Sequence, residues 1–168
     1  MSQPVYADDL SKLLEQYRPR SILLLDPGGT ELCTPYLNAH PDCRLEHIGA
    51  HPTMTDLPTA ERYDICVVAN TLERMQKVSG GQLIARLRDL LTQRLFIVVP
   101  AGDGWPDVEN RWEMGDFIAF GMQLVAEYDR DGRQLQMYKF DIGDYKLTPE
   151  WLNARHWAHP ERWDKERW

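Results

Sequence analysis

The chain has 168 residues, of which 43% are hydrophobic and 27% are charged, and its formal net charge is −7. This composition supplies enough apolar side chains for one folded domain and excludes wholesale disorder. An acidic chain without a long run of Lys or Arg is repelled by phosphate backbones, so we do not expect nucleic-acid binding.

The N-terminal residues and the cysteines bear on cellular location. The first nine residues lack the basic start and apolar core of a signal peptide. No apolar stretch approaches the roughly 18 residues of a membrane-spanning helix. Cys33, Cys43 and Cys66 are odd in number and have no Cys-x-x-Cys spacing, so reduced thiols are the simplest account. We therefore expect a cytoplasmic protein without a membrane partner, and the oligomeric state stays open.

The first third of the chain predicts a helix, a strand, a short helix and a second strand. Asp8 or Asp9 suits a helix N-cap and Pro19 ends that helix, whose apolar residues lie at helical spacing: Leu10, Leu13, Leu14 and Tyr17. A buried strand is predicted over Ser21–Leu25, and a short helix after Gly29 carries Leu32, Cys33, Tyr36 and Leu37. The second strand is predicted over Arg44–Ile48.

The middle of the chain gives no clear element until Arg62, because Pro52 and Pro58 interrupt it. A strand is then predicted over Ile65–Ala69, a helix over Gln82–Leu91 and a strand over Arg94–Val99. The continuous apolar character of the strands is typical of a parallel sheet covered on both faces. We expect these two strands and Ser21–Leu25 to lie side by side and parallel.

The last predicted elements form a hairpin. A helix is predicted over Glu113–Phe120, followed by strands over Met122–Tyr128 and Gln134–Phe140 around the turn Asp129-Arg-Asp-Gly-Arg133. Strands that alternate with helices and end in an antiparallel hairpin predict an α/β three-layer sandwich with a mostly parallel sheet.

Polar turns follow two of the predicted central strands. Asp26, Gly28 and Gly29 come after the first strand, and Asn70 and Glu73 come after Ile65–Ala69. Ligands of open α/β sheets bind beyond the carboxyl ends of such strands, so both turns are candidate sites. An ordinary strand-to-helix turn also favours Asp, Pro and Gly. For Asn70 and Glu73 we favour a capping box at a helix start, since the spacing fits one.

From Leu10 to Ile142 this order of elements resembles the class I S-adenosylmethionine-dependent methyltransferase fold. The segment Leu25-Asp26-Pro27-Gly28-Gly29 is similar to the family's acidic residue and glycine-rich turn after its first strand. The segment Tyr63–Met75 is similar to its fourth-strand motif, which often reads Phe-Asp-x-Val and then Leu-Glu-His. The resemblance implies S-adenosylmethionine as cofactor, with the methionine end near Asp26, Gly28 and Gly29. Asn70 would line the cofactor or substrate pocket, and the methyl acceptor would lie near Asn70 and the Ala101–Trp112 loop.

The family's ribose and adenine contacts are less well matched. It places a carboxylate at the end of strand two, where this chain reads Glu46-His47-Ile48-Gly49. Glu46 is the candidate there, although it comes early, and Asp56-Leu57-Pro58 echoes the segment that carries the adenine-contacting Asp. The resemblance thus implies a degenerate cofactor site in an uncharacterised bacterial branch. It identifies neither catalytic residues nor the methyl acceptor.

Metal and thiol chemistry are not indicated by the sequence. His47 and His51, like His156 and His159, do not stand among cysteines or carboxylates at a ligand spacing, so no metal site is predicted. Cys66 lies inside an apolar strand, where a cysteine is usually inert packing.

The C-terminal stretch is predicted to form an extension of one domain. Residues 1–144 form the methyltransferase-like domain, and residues 145–168 carry Trp151, Trp157, Trp163 and Trp168. Rings of this size are rarely left in water, so we expect the extension to pack on the domain. A docking surface for a protein partner is the alternative. Two functions follow: a methyltransferase of unknown substrate, or a non-catalytic binding or scaffolding module that uses the fold and the Trp-rich tail.

Overall fold

The computed structural model of the chain describes residues 3–59 and 61–145. These residues form one six-stranded sheet in the order β2-β1-β3-β4-β6-β5. The strands are β1 (Ser21–Leu25), β2 (Arg44–Ile48), β3 (Tyr63–Ala69), β4 (Thr92–Ala101), β5 (Gln123–Arg130) and β6 (Arg133–Asp141). The α-helices are α1 (Ala7–Tyr17), α2 (Thr34–Ala39), α3 (Lys77–Arg86), α4 (Met114–Ala119) and α5 (Ile142–Tyr145). A 3₁₀ turn covers Leu72–Arg74, and a π-helical turn covers Leu87–Leu91.

The centre of the sheet is parallel, as the apolar runs predict. β1 pairs with β2 and β3, and β3 pairs with β4, all in parallel. β6 runs antiparallel to both β4 and β5, so it alone is reversed. The predicted α/β class, the parallel centre and the terminal hairpin are confirmed.

Two apolar layers cover the sheet and complete the sandwich. On one face, α1 and α2 pack residues such as Leu10, Leu14 and Tyr36 against the sheet. On the other face, α3, the π-helical turn and α4 contribute Leu83, Ile84, Leu87, Leu91 and Phe117. Both faces of the central strands are therefore dry, which is why β1 and β3 read as uninterrupted apolar runs.

Helix α3 begins five residues earlier than predicted, because Gly80 and Gly81 lie inside it. The first of these glycines is there for packing, since a Cβ on Gly80 would lie 2.5 Å from Cζ2 of Trp112. The predicted end at Leu91 is also changed, since residues 87–91 form a π-helical turn. The Gly-Gly pair therefore does not mark the start of the helix, as its composition suggested. Gly80 is needed inside the helix because Trp112 packs against it.

The hairpin and β4 are longer than the sequence indicated. Asp131 and Gly132 form the hairpin turn with φ angles of 55° and 76°, as a type I′ turn requires. β4 continues through Pro100, which pairs with Leu135 of β6. Its pairing with β3 ends at Val98, so the missing amide hydrogen of Pro100 breaks no bond to β3.

Several expectations concern residues beyond these elements. The described residues of 49–62 contain no helix or strand, as the two prolines indicated. The four tail tryptophans lie outside the described residues, so the packing of the extension and the domain boundary remain predictions. None of the helices in the described parts of the chain is both long and apolar enough to span a bilayer.

Candidate functional site

The turn after β1 is built around the buried carboxylate of Asp26. Asp26 is only 3% exposed, and its Oδ1 accepts a hydrogen bond from the Gly28 backbone amide at 2.8 Å. A Cβ on Gly28 would lie 3.1 Å from that oxygen, while Gly29 adopts a φ of 97° that favours glycine. Nothing lies within 4 Å of a Cβ built on Gly29, so a ligand can approach the backbone there.

Asn70 joins the end of β3 to this turn. Its side-chain amide donates to Asp26 Oδ1 and to the hydroxyl of Tyr6, both at 3.3 Å. Its φ of 50° lies in the left-handed region, which Asn tolerates better than most residues. The capping-box interpretation of Asn70 and Glu73 is wrong. The 3₁₀ turn has Thr71 at its N-cap and no side-chain capping bond, and the Asn70 side chain donates to Asp26.

Tyr6 is a site residue that the sequence did not reveal. It precedes α1 and is 3% exposed, and its ring lies 6.3 Å from that of Tyr128. Burial and the nearby Asp26 carboxylate raise the pKa of Tyr6 to about 12, so its hydroxyl stays protonated. A tyrosine before a helix gives no local sign that it will contact Asn70, 64 residues away.

Glu73 is buried without a full set of partners. The residue is 8% exposed, and its Oε2 has no hydrogen-bond partner among the described residues. Burial raises the pKa of Glu73, the Asp26 carboxylate adds to the rise, and its own amide and Arg74 oppose it. Glu73 also lines a cavity, where a buried carboxyl with a raised pKa is suited to exchange a proton with a ligand.

Two cavities meet at Pro4 and Asn70. The smaller, of about 210 Å³, lies at the turn after β1 and is lined by Asp26, Gly28, Gly29 and residues of α1 and α2. The larger, of about 540 Å³, has a size suited to a small-molecule ligand. Its polar lining residues are Tyr6, His51, Asn70, Glu73, Arg74, Asp107, Glu109, Arg130 and Arg133. Its other lining residues include Pro100, Trp105, Pro106, Val108 and Leu135.

Two of the sequence-predicted residues do not join this group. Glu46 lies two residues before the end of β2, and its carboxylate accepts the hydroxyl of Tyr63. Asp56 is exposed and accepts hydrogen bonds from the amide and hydroxyl of Thr53, both at 2.7 Å. Asp26, Gly28, Gly29 and Asn70 are thus brought together, whereas Glu46 and Asp56 are engaged elsewhere.

The end of β2 nearest this site carries no acidic side chain. The last registered pair of β1 and β2 is Leu25 with Ile48, so Asp26 and Gly49 follow it as neighbours at the same edge. His47 of β2 contacts the turn after β1, since a ring nitrogen of its imidazole lies 2.8 Å from the Asp26 carbonyl oxygen. Within residues 3–59 and 61–145, no three His, Cys, Asp or Glu side chains cluster so that they could hold a metal ion.

Comparison with protein families gives one match that spans nearly the whole chain. Residues 5–168 match the model of a family of unknown function, DUF6231. The chain belongs to this family. A search of curated protein sequences found no significant match.

Solved structures that include two methyltransferases share the fold of this DUF6231 protein. The N-terminal domain of EvdMO1, in the presence of SAH and D-fucose, is 13% identical with a TM-score of 0.51, and 84% of each chain is covered. The methyltransferase domain of bacterial CtHen1 is 10% identical with a TM-score of 0.55, covering 80% of this chain and 96% of that one.

A third structure of this kind is magnesium protoporphyrin IX methyltransferase from Synechocystis PCC 6803 with bound SAH. It is 9% identical with a TM-score of 0.55, and the match covers 80% of this chain and 82% of that one. At these identities the likeness shows the fold alone: the DUF6231 domain has a methyltransferase-like fold.

Proposed function

We propose that this protein binds S-adenosylmethionine at the carboxyl edge of its sheet and transfers a methyl group to a small acceptor. The observation that carries the proposal is the meeting of the two cavities at Asn70, whose amide holds the Asp26 carboxylate. A glycine-lined turn, a buried carboxylate and an adjoining cavity support cofactor and acceptor sites side by side.

The residues of the β1 turn fit the amino-acid end of the cofactor. Gly29 leaves its backbone open, and Gly28 cannot carry a side chain without crowding Asp26. Asp26 would face the cofactor's ammonium group, and the turn would receive its carboxylate. The ribose end has no matching acceptor, since Gly49 stands where the methyltransferase resemblance expects a carboxylate. This supports a divergent branch of that superfamily that binds the cofactor weakly.

The acceptor would lie in the larger cavity. Bound S-adenosylmethionine supplies an electrophilic methyl group, so the remaining work of such a site is positioning. Glu73 is a buried residue of this cavity's lining, and its carboxylate would take the proton that an acceptor hydroxyl loses. Trp105 and the prolines at positions 100 and 106 would exclude water from the acceptor.

Backbone amide shifts in NMR spectra test where the cofactor binds. Adding S-adenosylhomocysteine should shift the amides of Gly28, Gly29 and Asn70 first, because these line the smaller cavity. Asp26→Ala should abolish the response, and Asp56→Ala serves as the control because that residue is exposed. Shifts confined to other parts of the sheet, or unchanged spectra at millimolar ligand, would contradict the proposal.

A non-catalytic binding module is the second candidate, and one observation favours it. Tyr6 already takes one hydrogen bond from the Asn70 amide, while Asp26 takes the other, so the chain satisfies its own site. In that case S-adenosylhomocysteine would produce no response, and a protein partner would be sought for the Trp-rich tail.

A further inference from the structure

The larger cavity contains two arginines that face each other across the hairpin. Arg130 ends β5, Arg133 begins β6, and the two are directly opposite in the strand register. Like charges in this position destabilise a hairpin unless an anion lies between them. Among the residues that the structure describes, neither arginine forms an ion pair with a carboxylate.

Trp105 holds one of these arginines toward the cavity. The guanidinium of Arg133 lies 5.5 Å from the centroid of the Trp105 ring, and the indole N–H donates to the Gln134 carbonyl at 2.9 Å. The hydrogen bond restricts the Trp105 ring, and the cation–π contact restricts the exposed Arg133 side chain, so less entropy is lost when an anion binds.

Carboxyl groups line the same cavity. Glu73, Asp107 and Glu109 are among its lining residues, together with Arg74 and His51. The carboxylates repel an anionic group and so favour its placement at the paired arginines. Pro100, Pro106, Val108 and Leu135 form an apolar part of the lining. The cavity therefore combines paired arginines, an apolar surface and the carboxyl group of Glu73.

We propose that the larger cavity binds a small organic anion with an apolar body. Its charged group lies between Arg130 and Arg133, and a hydroxyl group at its other end donates to Glu73. That this molecule is the methyl acceptor rests on the proposed function, whereas its binding does not require the cofactor.

Calorimetric titration with 4-hydroxybenzoate, without cofactor and at low ionic strength, tests the site. We expect saturable binding, at least tenfold weaker binding by Arg130→Gln/Arg133→Gln, and little change in Lys12→Gln/Arg20→Gln. The control pair removes the same charge from exposed positions away from the cavity. Phenyl phosphate in a parallel titration separates phosphate from carboxylate recognition, and arginine-dependent binding of either anion supports the proposal.

Two further probes, tested on the unaltered protein, measure how much the anionic group and the hydroxyl group of the ligand each contribute to binding. The uncharged 4-hydroxybenzyl alcohol should bind at least tenfold more weakly than 4-hydroxybenzoate, and benzoate, which lacks the hydroxyl, severalfold more weakly. The proposal is overturned if neither anion binds at several millimolar, or if binding ignores the arginine substitutions or the charge of the probe. Binding of 4-hydroxybenzoate without any response to S-adenosylhomocysteine would keep the anion site and reject the methyltransferase proposal.

Discussion

Asn70 donates a hydrogen bond to Asp26 at 3.3 Å and so connects the ends of β3 and β1 across 44 residues of sequence. This bond fixes the geometry of the smaller cavity, because Oδ1 of the same carboxylate also accepts the Gly28 amide. One amide side chain therefore supports the turn that the proposed cofactor would contact.

Asn70→Ala should lower the free energy of unfolding by about 1–3 kcal/mol, because a buried carboxylate loses a donor. Alanine also accepts a φ of 50° poorly, whereas glycine accepts it without steric cost. Asn70→Gly should therefore cost less than Asn70→Ala. Urea denaturation of the three proteins measures both differences. Equal stability of wild type and Asn70→Ala would show that the bond to Asp26 contributes nothing.

A pair of neighbouring glycines in α3 offers a matched test of packing. A Cβ on Gly80 would meet the buried Trp112, whose indole N–H is held by the Leu72 carbonyl at 3.1 Å. We expect Gly80→Ala to cost about 1–3 kcal/mol of stability through overpacking. Gly81→Ala meets only Phe120 at 3.5 Å and should stabilise the helix by about 0.5–1 kcal/mol. Thermal denaturation gives both signs, and a stabilising Gly80→Ala would refute the packing account.

Stability should depend on pH through Glu73. Burial raises its pKa above the ordinary value of 4.5, so the folded state holds this proton more tightly than the unfolded state. Relative to Glu73→Gln, wild-type stability should fall as pH rises from 4.5 and level off above the folded pKa. Urea denaturation across this range measures the difference, and a difference that grows in favour of wild type would contradict it.

The pH dependence of stability that comes from Asp56 should have the opposite sign to that from Glu73. Hydrogen bonds from Thr53 lower its pKa below 3.8, so any contribution is present near neutral pH and is lost as pH falls through the folded value. Asp56→Asn compared with wild type checks the direction in the same series of denaturation curves.

The bounds of two short strands were predictable because the residues that end them are visible in the local sequence. β1 and β2 have the bounds that the sequence predicted: Asp26 follows the buried apolar run of β1, and Gly49 follows the partly exposed β2. The partners of Asn70 were not predictable in this way, since Asp26 and Tyr6 lie far along the chain. The spacing of Asn70 and Glu73 fits a capping box equally well, and only the fold decides between the two interpretations.

The role of Glu46 shows a second feature that the sequence did not predict, the register of a strand. A carboxylate near the end of β2 was the natural candidate for the ribose, but a strand register decides which residue reaches the edge. Glu46 pairs with Leu23 in the middle of β1, and Tyr63 uses its carboxylate. One-residue differences of register cannot be read from composition.

The measurement that tests the central claim most directly is the affinity for S-adenosylhomocysteine of wild type and Gly49→Asp. Gly49 follows β2 beside Asp26, and nothing lies within 4 Å of a Cβ built on it. A charged hydrogen bond contributes about 1.5–3 kcal/mol, so supplying the ribose acceptor should tighten binding about tenfold or more. Gly115→Asp adds the same charge in α4, also in open space, and is the control.

We predict a wild-type dissociation constant on the order of 100 μM or weaker by calorimetry, a gain of about tenfold or more in Gly49→Asp, and no gain in Gly115→Asp. Low-micromolar binding by wild type, unaffected by Gly49→Asp, would contradict the claim that the site lacks its ribose acceptor. An absence of binding by all three proteins at millimolar ligand would contradict the claim that this is a cofactor site.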